Sequence, residues 1–170
     1  MSRIGLIASR DELDTEARDV FDRIVESRGT MPRPFEVLLH SPVMAEKVAE
    51  LGHVIRFESH LTDADRELAT LATGRAHGCA FVWESHLGAA RSAGITPDTI
   101  AALESDASNL GAREATLVAL VDELCETGAV SDETFRAVVD LLGTPGLVEL
   151  VLTVGYYTML GYTMSAVEAC

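Results

Sequence analysis

Residues 66–95 read RELATLATGRAHGCAFVWESHLGAARSAGI. Gly78 divides this stretch into two runs of helix-forming residues, and neither run shows the period-two alternation of a strand. In the second run Cys79, Val82, Trp83, His86 and Ala90 stand at i, i+3, i+4, i+7 and i+11, one face of a helix, with Glu84 and Arg91 turned away. In the first run Glu67, Leu71 and Arg75 share a face, and Thr62-Asp-Ala-Asp65 supplies the start. Two helices joined at Gly78 are therefore expected, the first ending near Ala76 and the second at Gly94.

The same punctuation extends outward. Ser9 is expected to cap a helix to about Ser27, stopped by Gly29, and Met31-Pro-Arg-Pro34 to form an extended link. A short helix over Phe35–His40 follows. Ser41-Pro42 then opens a helix to about Ser59, and Thr96-Pro97 one to Glu104. Helices over Gly111–Glu126, Ser131–Leu142 and Pro145–Val167 complete an all-α fold of seven to eight helices, with Glu104–Asn109 as a surface loop. With no repeat or long linker visible, 1–170 reads as one domain in which residues 1–30 are an N-terminal helical extension.

The composition fits helices: 48% of the 170 residues are hydrophobic but only 5% aromatic. Twenty-seven acidic residues against 13 basic ones give a formal charge of −14, and Lys47 is the sole lysine. Such a surface is unsuited to nucleic acid or to an anionic membrane. Residues 150–167 carry no charge, yet their flanks Glu149 and Glu168 are acidic, so a buried or subunit-interface helix is expected rather than a span. Cys79, Cys125 and Cys170, odd in number and widely spaced, do not read as a disulfide framework. Without a visible signal peptide, a reducing cytoplasm is the expected setting.

The chemistry concentrates on the helix after Gly78. His86, on an apolar face one turn beyond Trp83, is expected to be at least half buried and to need a hydrogen-bond partner. Glu67 on the preceding helix can supply it, fixing one tautomer and making the imidazole a proton-transfer group. By default a lone histidine on such a face is a satisfied core residue, Cys79 a small hydrophobe and Trp83 core. His77, Cys79 and His86 match no common ligand spacing, so no metal or cofactor is expected. His53, Phe57 and His60 align on one face of their helix and read as a solvated or interface stripe.

With these residues placed, the chain resembles the carboxymuconolactone decarboxylase family, within the alkylhydroperoxidase D-like superfamily. The likeness runs from about Arg28 to Val167 through RGTMPRPFEVLLHSPVMAEK, the 66–95 stretch and LVELVLTVGYYTMLGYTMSAV. It implies an all-helical fold assembled as a trimer or hexamer. It also implies that Glu67, Cys79 and His86 hold the positions of the superfamily's glutamate, first cysteine and histidine. Val82 stands where the redox branch has its second cysteine and where the decarboxylase-like branch often has a glutamate.

Three functions compete. The first is a cofactor-free lyase or isomerase, of a kind met in aromatic-compound catabolism, acting on a small cyclic unsaturated acid or lactone. In it His86 is the acid–base group and Glu67 orients it. Trp83, Phe81, Val82, His77 and Tyr156 line the substrate, with Arg33, Arg56 or Arg75 meeting its carboxylate. The second is a thiol-dependent peroxidase or reductase centred on Cys79. The third is a non-enzymatic oligomer that binds a small molecule.

Overall fold

The helix that begins at Thr62 organises its half of the chain. The Thr62 hydroxyl accepts from the Asp65 backbone N–H at 3.1 Å, and Asp63 and Asp65 place negative charge in the first turn, where it suits the helix dipole. This helix runs Asp63–Ala76 and is buried from Asp65 through Gly74. Its buried hydroxyls are satisfied internally, Thr70 donating to the Arg66 carbonyl and Thr73 to that of Ala69. The computed structural model describes residues 2–105 and 107–170, the side chain of Glu16 excepted.

Among the described residues there are eight α-helices, a 3₁₀ turn at Arg10–Glu12, and no strand. They are α1 (Thr15–Arg28), α2 (Arg33–Leu38), α3 (Pro42–Phe57), α4 (Asp63–Ala76), α5 (Ala80–Ser92), α6 (Pro97–Ser105), α7 (Ala112–Thr127) and α8 (Asp132–Ala166). α8 is two helices meeting at Gly143 (φ 70°, ψ 172°), close to the expected boundary before Pro145. By length and composition alone α8 could cross a membrane, and 33% of its most apolar window is buried.

The helices group into two compact units. One holds the chain to Glu58 together with Tyr162–Ala169; the other holds Ser59–Gly161 and Cys170. In the first, α1 and α2 pack on α3 around Val20, Ile24, Phe35 and Ile55. The Arg3 backbone N–H donates to the Val167 carbonyl at 2.7 Å. In the second, α4 packs against α5, α6 and α7 over Leu71, Leu103, Leu117 and Leu120. Each such leucine, fully withdrawn from water, contributes about 1.5–3 kcal/mol of transfer free energy. Arg113 of α7 forks onto Asp65 at 2.7 and 2.9 Å. Burial opposes ionisation of that carboxyl, but the hydrogen bonds from Arg113 and Thr62 outweigh it and hold its pKa below the usual range.

Four expectations change. Ser9 caps only the 3₁₀ turn, in a capping box with Glu12; Leu13 is extended, and Asp14 caps α1 by accepting from the Ala17 N–H. Two competent caps stand five residues apart, and the second starts the helix. α2 begins at Arg33, since Pro34 is tolerated in a first turn. α3 ends at Phe57, so His60 leaves the His53–Phe57 stripe; its ring and N–H instead meet Glu149, each at 2.7 Å. In the expected 104–109 loop, α6 reaches Ser105 and Ala107 takes a positive φ of 58°, while Asp106 lies outside the described residues.

Candidate active site

α4 and α5 form the antiparallel pair that carries the site, and two glycines make it possible. A Cβ on Gly74 would stand 3.0 Å from Val82 Cγ1 and 3.2 Å from the Trp83 nitrogen, so a larger residue would push the helices apart. Gly78 turns the chain between them at φ 60°. Cys79 then takes extended angles (φ −88°, ψ 93°) and becomes the N-cap of α5 rather than a residue of its first turn. Val82 and Ala90 point into the core as their spacing implies, while Glu84 and Arg91 are exposed.

The expected acid–base pair is formed. His86 Nδ1 lies 2.7 Å from Glu67 Oε2, with side-chain exposures of 19% and 5%. With Nδ1–H donating to the carboxylate, a neutral imidazole keeps its lone pair on Nε2, the nitrogen left for a substrate. The Tyr157 ring meets His86 edge to face, centroids 4.9 Å apart, and Tyr156 packs on Tyr157 in the same manner. Arg66 lies 3.5 Å from Glu67 Oε1 and donates to Asp63 at 2.8 Å. Glu67 thus sits between a guanidinium and the imidazole, with one carboxylate oxygen facing each.

The thiol is not alone. Cys79 is disulfide-bonded to Cys170, 91 residues away in sequence, with Cα atoms 5.5 Å apart. This corrects the expectation of an unpaired Cys79: the partner missing at position 82 is supplied from position 170. No helical period links residues so distant, and an odd cysteine count hid the pair. Cys125 remains free and half buried. Its sulfur lies 3.6 Å from His77 Nε2, which also meets Thr158 Oγ1 at 2.8 Å. Burial pushes the Cys125 thiol up and the His77 imidazole down from their ordinary pKa values, so both favour neutral forms.

A cavity of about 240 Å³ opens beside Cys79, lined also by Arg75, Ala80, Trp83, Glu84 and Glu104. Of the expected substrate-lining residues it takes in Arg75 and Trp83 only. Arg75 is engaged there, donating to the Leu103 carbonyl at 3.1 Å and pairing with Asp122. Val82 is core, Tyr156 is buried, His77 is held by Thr158, and Phe81 is half buried outside the lining. Arg33 is exposed at the start of α2, and the Arg56 guanidinium lies 5.1 Å from the Phe57 ring centroid. A larger cavity of about 350 Å³ between α1 and α3 holds none of the expected catalytic residues. Among the described residues, no group of three or more His, Cys, Asp or Glu could hold a metal ion.

Comparison with known proteins gives a family match over part of the chain and a fold likeness over nearly all of it. The model of the carboxymuconolactone decarboxylase family matches residues 42–123, a span that includes Glu67, Cys79 and His86 but not Cys170. No curated protein sequence matches the chain significantly. Among solved structures, an uncharacterized peroxidase-related protein from Ralstonia eutropha JMP134, described as an alkylhydroperoxidase AhpD core, superposes with a TM-score of 0.82. It is 16% identical over 99% of this chain and 91% of its own. A peroxidase-related protein from Silicibacter sp. TM1040 gives 0.78 at 18% identity, covering 98% and 90%. A cysteine-to-alanine variant of the debrominase Bmp8, in complex with 2,3,4-tribromopyrrole, gives 0.80 at 14% identity, covering 100% and 93%. At such identities the likeness establishes the fold and leaves the reaction open. Residues 42–123 match the carboxymuconolactone decarboxylase family, and the chain shares the all-helical fold of the alkylhydroperoxidase D-like structures.

Proposed function

We propose that this protein is a thiol–disulfide oxidoreductase that reduces a small hydroperoxide through Cys79 and Cys170. The observation that carries this reading is the disulfide between them, formed at the N-cap of the helix that holds His86. The Cys79 thiol gives its proton to His86, and the thiolate attacks the outer oxygen of ROOH. The O–O bond breaks, Cys79 becomes a sulfenic acid, and the proton returns to the departing alkoxide as ROH. The Cys170 thiol then displaces water from the sulfenic acid, and an external dithiol reduces the resulting disulfide while itself becoming a disulfide. Seven residues separate Cys79 from His86, about 10 Å of helix rise. The hydroperoxide or a water therefore bridges them, and the ring's tilt toward the helix N-terminus shortens the gap. Glu67 stabilises the transient imidazolium.

Carboxymuconolactone decarboxylation is the second reading, favoured by a Glu67–His86 pair that is complete without any thiol. It ranks lower because Arg75, the candidate cation at the Cys79 cavity, is already engaged by Asp122. One experiment separates the two. The reduced chain, with its three cysteines, is expected to keep one thiol after a stoichiometric hydroperoxide pulse and to turn over peroxide only with a dithiol present. Three thiols surviving excess peroxide, or reductant-free turnover of a carboxymuconolactone panel, would transfer the assignment to the lyase. A ligand bound without conversion under either regime would leave a binding protein.

The functional form we propose is a homo-oligomer. Val148, Val151, Leu152 and Met159 fall at i, i+3, i+4 and i+11 on α8, and each is 37–51% exposed. Light scattering should give a multiple of 18.2 kDa, and Val151→Asp with Leu152→Asp should reduce it to the monomer without loss of helicity. A wild-type monomer at micromolar concentration, or a chain that stays in solution only with detergent, counts against this assembly.

A further inference from the structure

Resting on the oxidoreductase reading, we propose that the Cys79–Cys170 disulfide is polarised: an incoming thiolate attacks the Cys170 sulfur, and Cys79 leaves. Two independent observations point the same way. The first is access. Cys79 is 1% exposed whereas Cys170 is an exposed residue, so a thiol larger than the cavity approaches the disulfide from the Cys170 side.

The second is the stability of the leaving group. Cys79 is the N-cap of a 13-residue helix, where unsatisfied N–H groups and the helix dipole favour negative charge. A thiolate released there is the better leaving group, and thiol–disulfide exchange is faster when the leaving thiolate is the more stable one. Cys170 lies beyond the last residue of α8, outside any helix N-terminus.

The exchange balances. The reductant's thiolate forms a new S–S bond to Cys170 as the Cys79–Cys170 bond breaks, leaving a thiolate on Cys79. The reductant's second thiol then displaces the Cys170 thiolate from the mixed disulfide, which takes up a proton. Net, the dithiol is oxidised and both cysteines are reduced. The division of labour follows: a small oxidant meets Cys79 from its cavity, and the reductant, which can be a dithiol on another protein, docks at Cys170. Position 170 is therefore the specificity element for the electron donor, although it lies outside the family-matched segment.

The test uses the oxidised full chain. It is mixed with a limiting monothiol, glutathione, quenched in acid within milliseconds to seconds, unfolded, alkylated and mapped by peptide mass spectrometry. Glutathione is expected on Cys170 with alkyl on Cys79, at least about ten to one over the reverse, since the buried sulfur is the less accessible one. Alkylated Cys125 serves as the internal reference. Glutathione on Cys79, or an even split, overturns the polarity while leaving the oxidoreductase reading intact. Absence of a Cys79–Cys170 linked peptide after hydroperoxide treatment overturns both.

Discussion

Cys170→Ser is expected to lower dithiol-driven hydroperoxide turnover by roughly a hundredfold or more, because the second half of the cycle loses its intramolecular partner. In the wild type the sulfenic acid on Cys79 meets a thiol already held beside it, with Cα atoms 5.5 Å apart in the disulfide. In the variant it waits for a thiol from solution, which must reach a side chain that is 1% exposed in the native fold. The first peroxide equivalent should still react, so a single-turnover trace keeps its initial phase and the steady state collapses. Dimedone should then label Cys79 in the variant and fail to label it in the wild type. Folding is controlled from within: the reduced wild type also lacks the crosslink, so the two should melt together. An oxidised wild type gains over both, since closing a loop of this length removes about 4–5 kcal/mol of unfolded-chain entropy in the simplest treatment. A Cys170→Ser protein that turns over at the wild-type rate would remove Cys170 from the cycle and return Cys79 to one-cysteine chemistry.

What could be read from the chain depended on the range of the interaction. Thr62 and Gly78 bracket α4 because a cap and a left-handed residue act within one turn, and both boundaries stand as expected. Glu67 and His86 were legible one step further out, because a short link between two helices of known period leaves few faces to meet. Val82 was legible as the residue at which the family resemblance implies a cysteine or a glutamate, and its place against Gly74 gives the physical counterpart, a valine that packs the hairpin. Cys170 was not legible. Four helices, α5 to α8, separate it from Cys79 in sequence, and no local pattern reports the sum of so many packings. The cavity failed for a related reason: Phe81, Val82 and Trp83 are consecutive, yet of these three only Trp83 lines it, because 100° per residue turns the two before it to other faces.

Glu67→Gln is the second change with a large expected effect, about a hundred- to a thousandfold on the chemical step, the range typical of a disabled acid–base pair. Glutamine is nearly isosteric and its carbonyl oxygen can still accept from His86 Nδ1–H, so position is kept and charge is lost. That distinction matters because Glu67 is 5% exposed and His86 19%, a setting where water does little to screen the pair. An imidazolium formed on receiving the thiol proton would face a neutral amide, and the nearest cation, Arg66, would lose the carboxylate beside it. Glu67 touches no reacting atom and acts through His86, so the prediction is one of coupling. The loss should fall on kcat with KM little changed. Glu67→Gln combined with His86→Ala should be no slower than His86→Ala alone, since the carboxylate has nothing left to support. Glu67→Asp, which keeps the charge and shortens the reach, should recover part of the rate. Additive losses in the double variant, with circular dichroism unchanged, would mean that Glu67 and His86 act separately. The 2.7 Å contact would then be an element of packing rather than the proton relay.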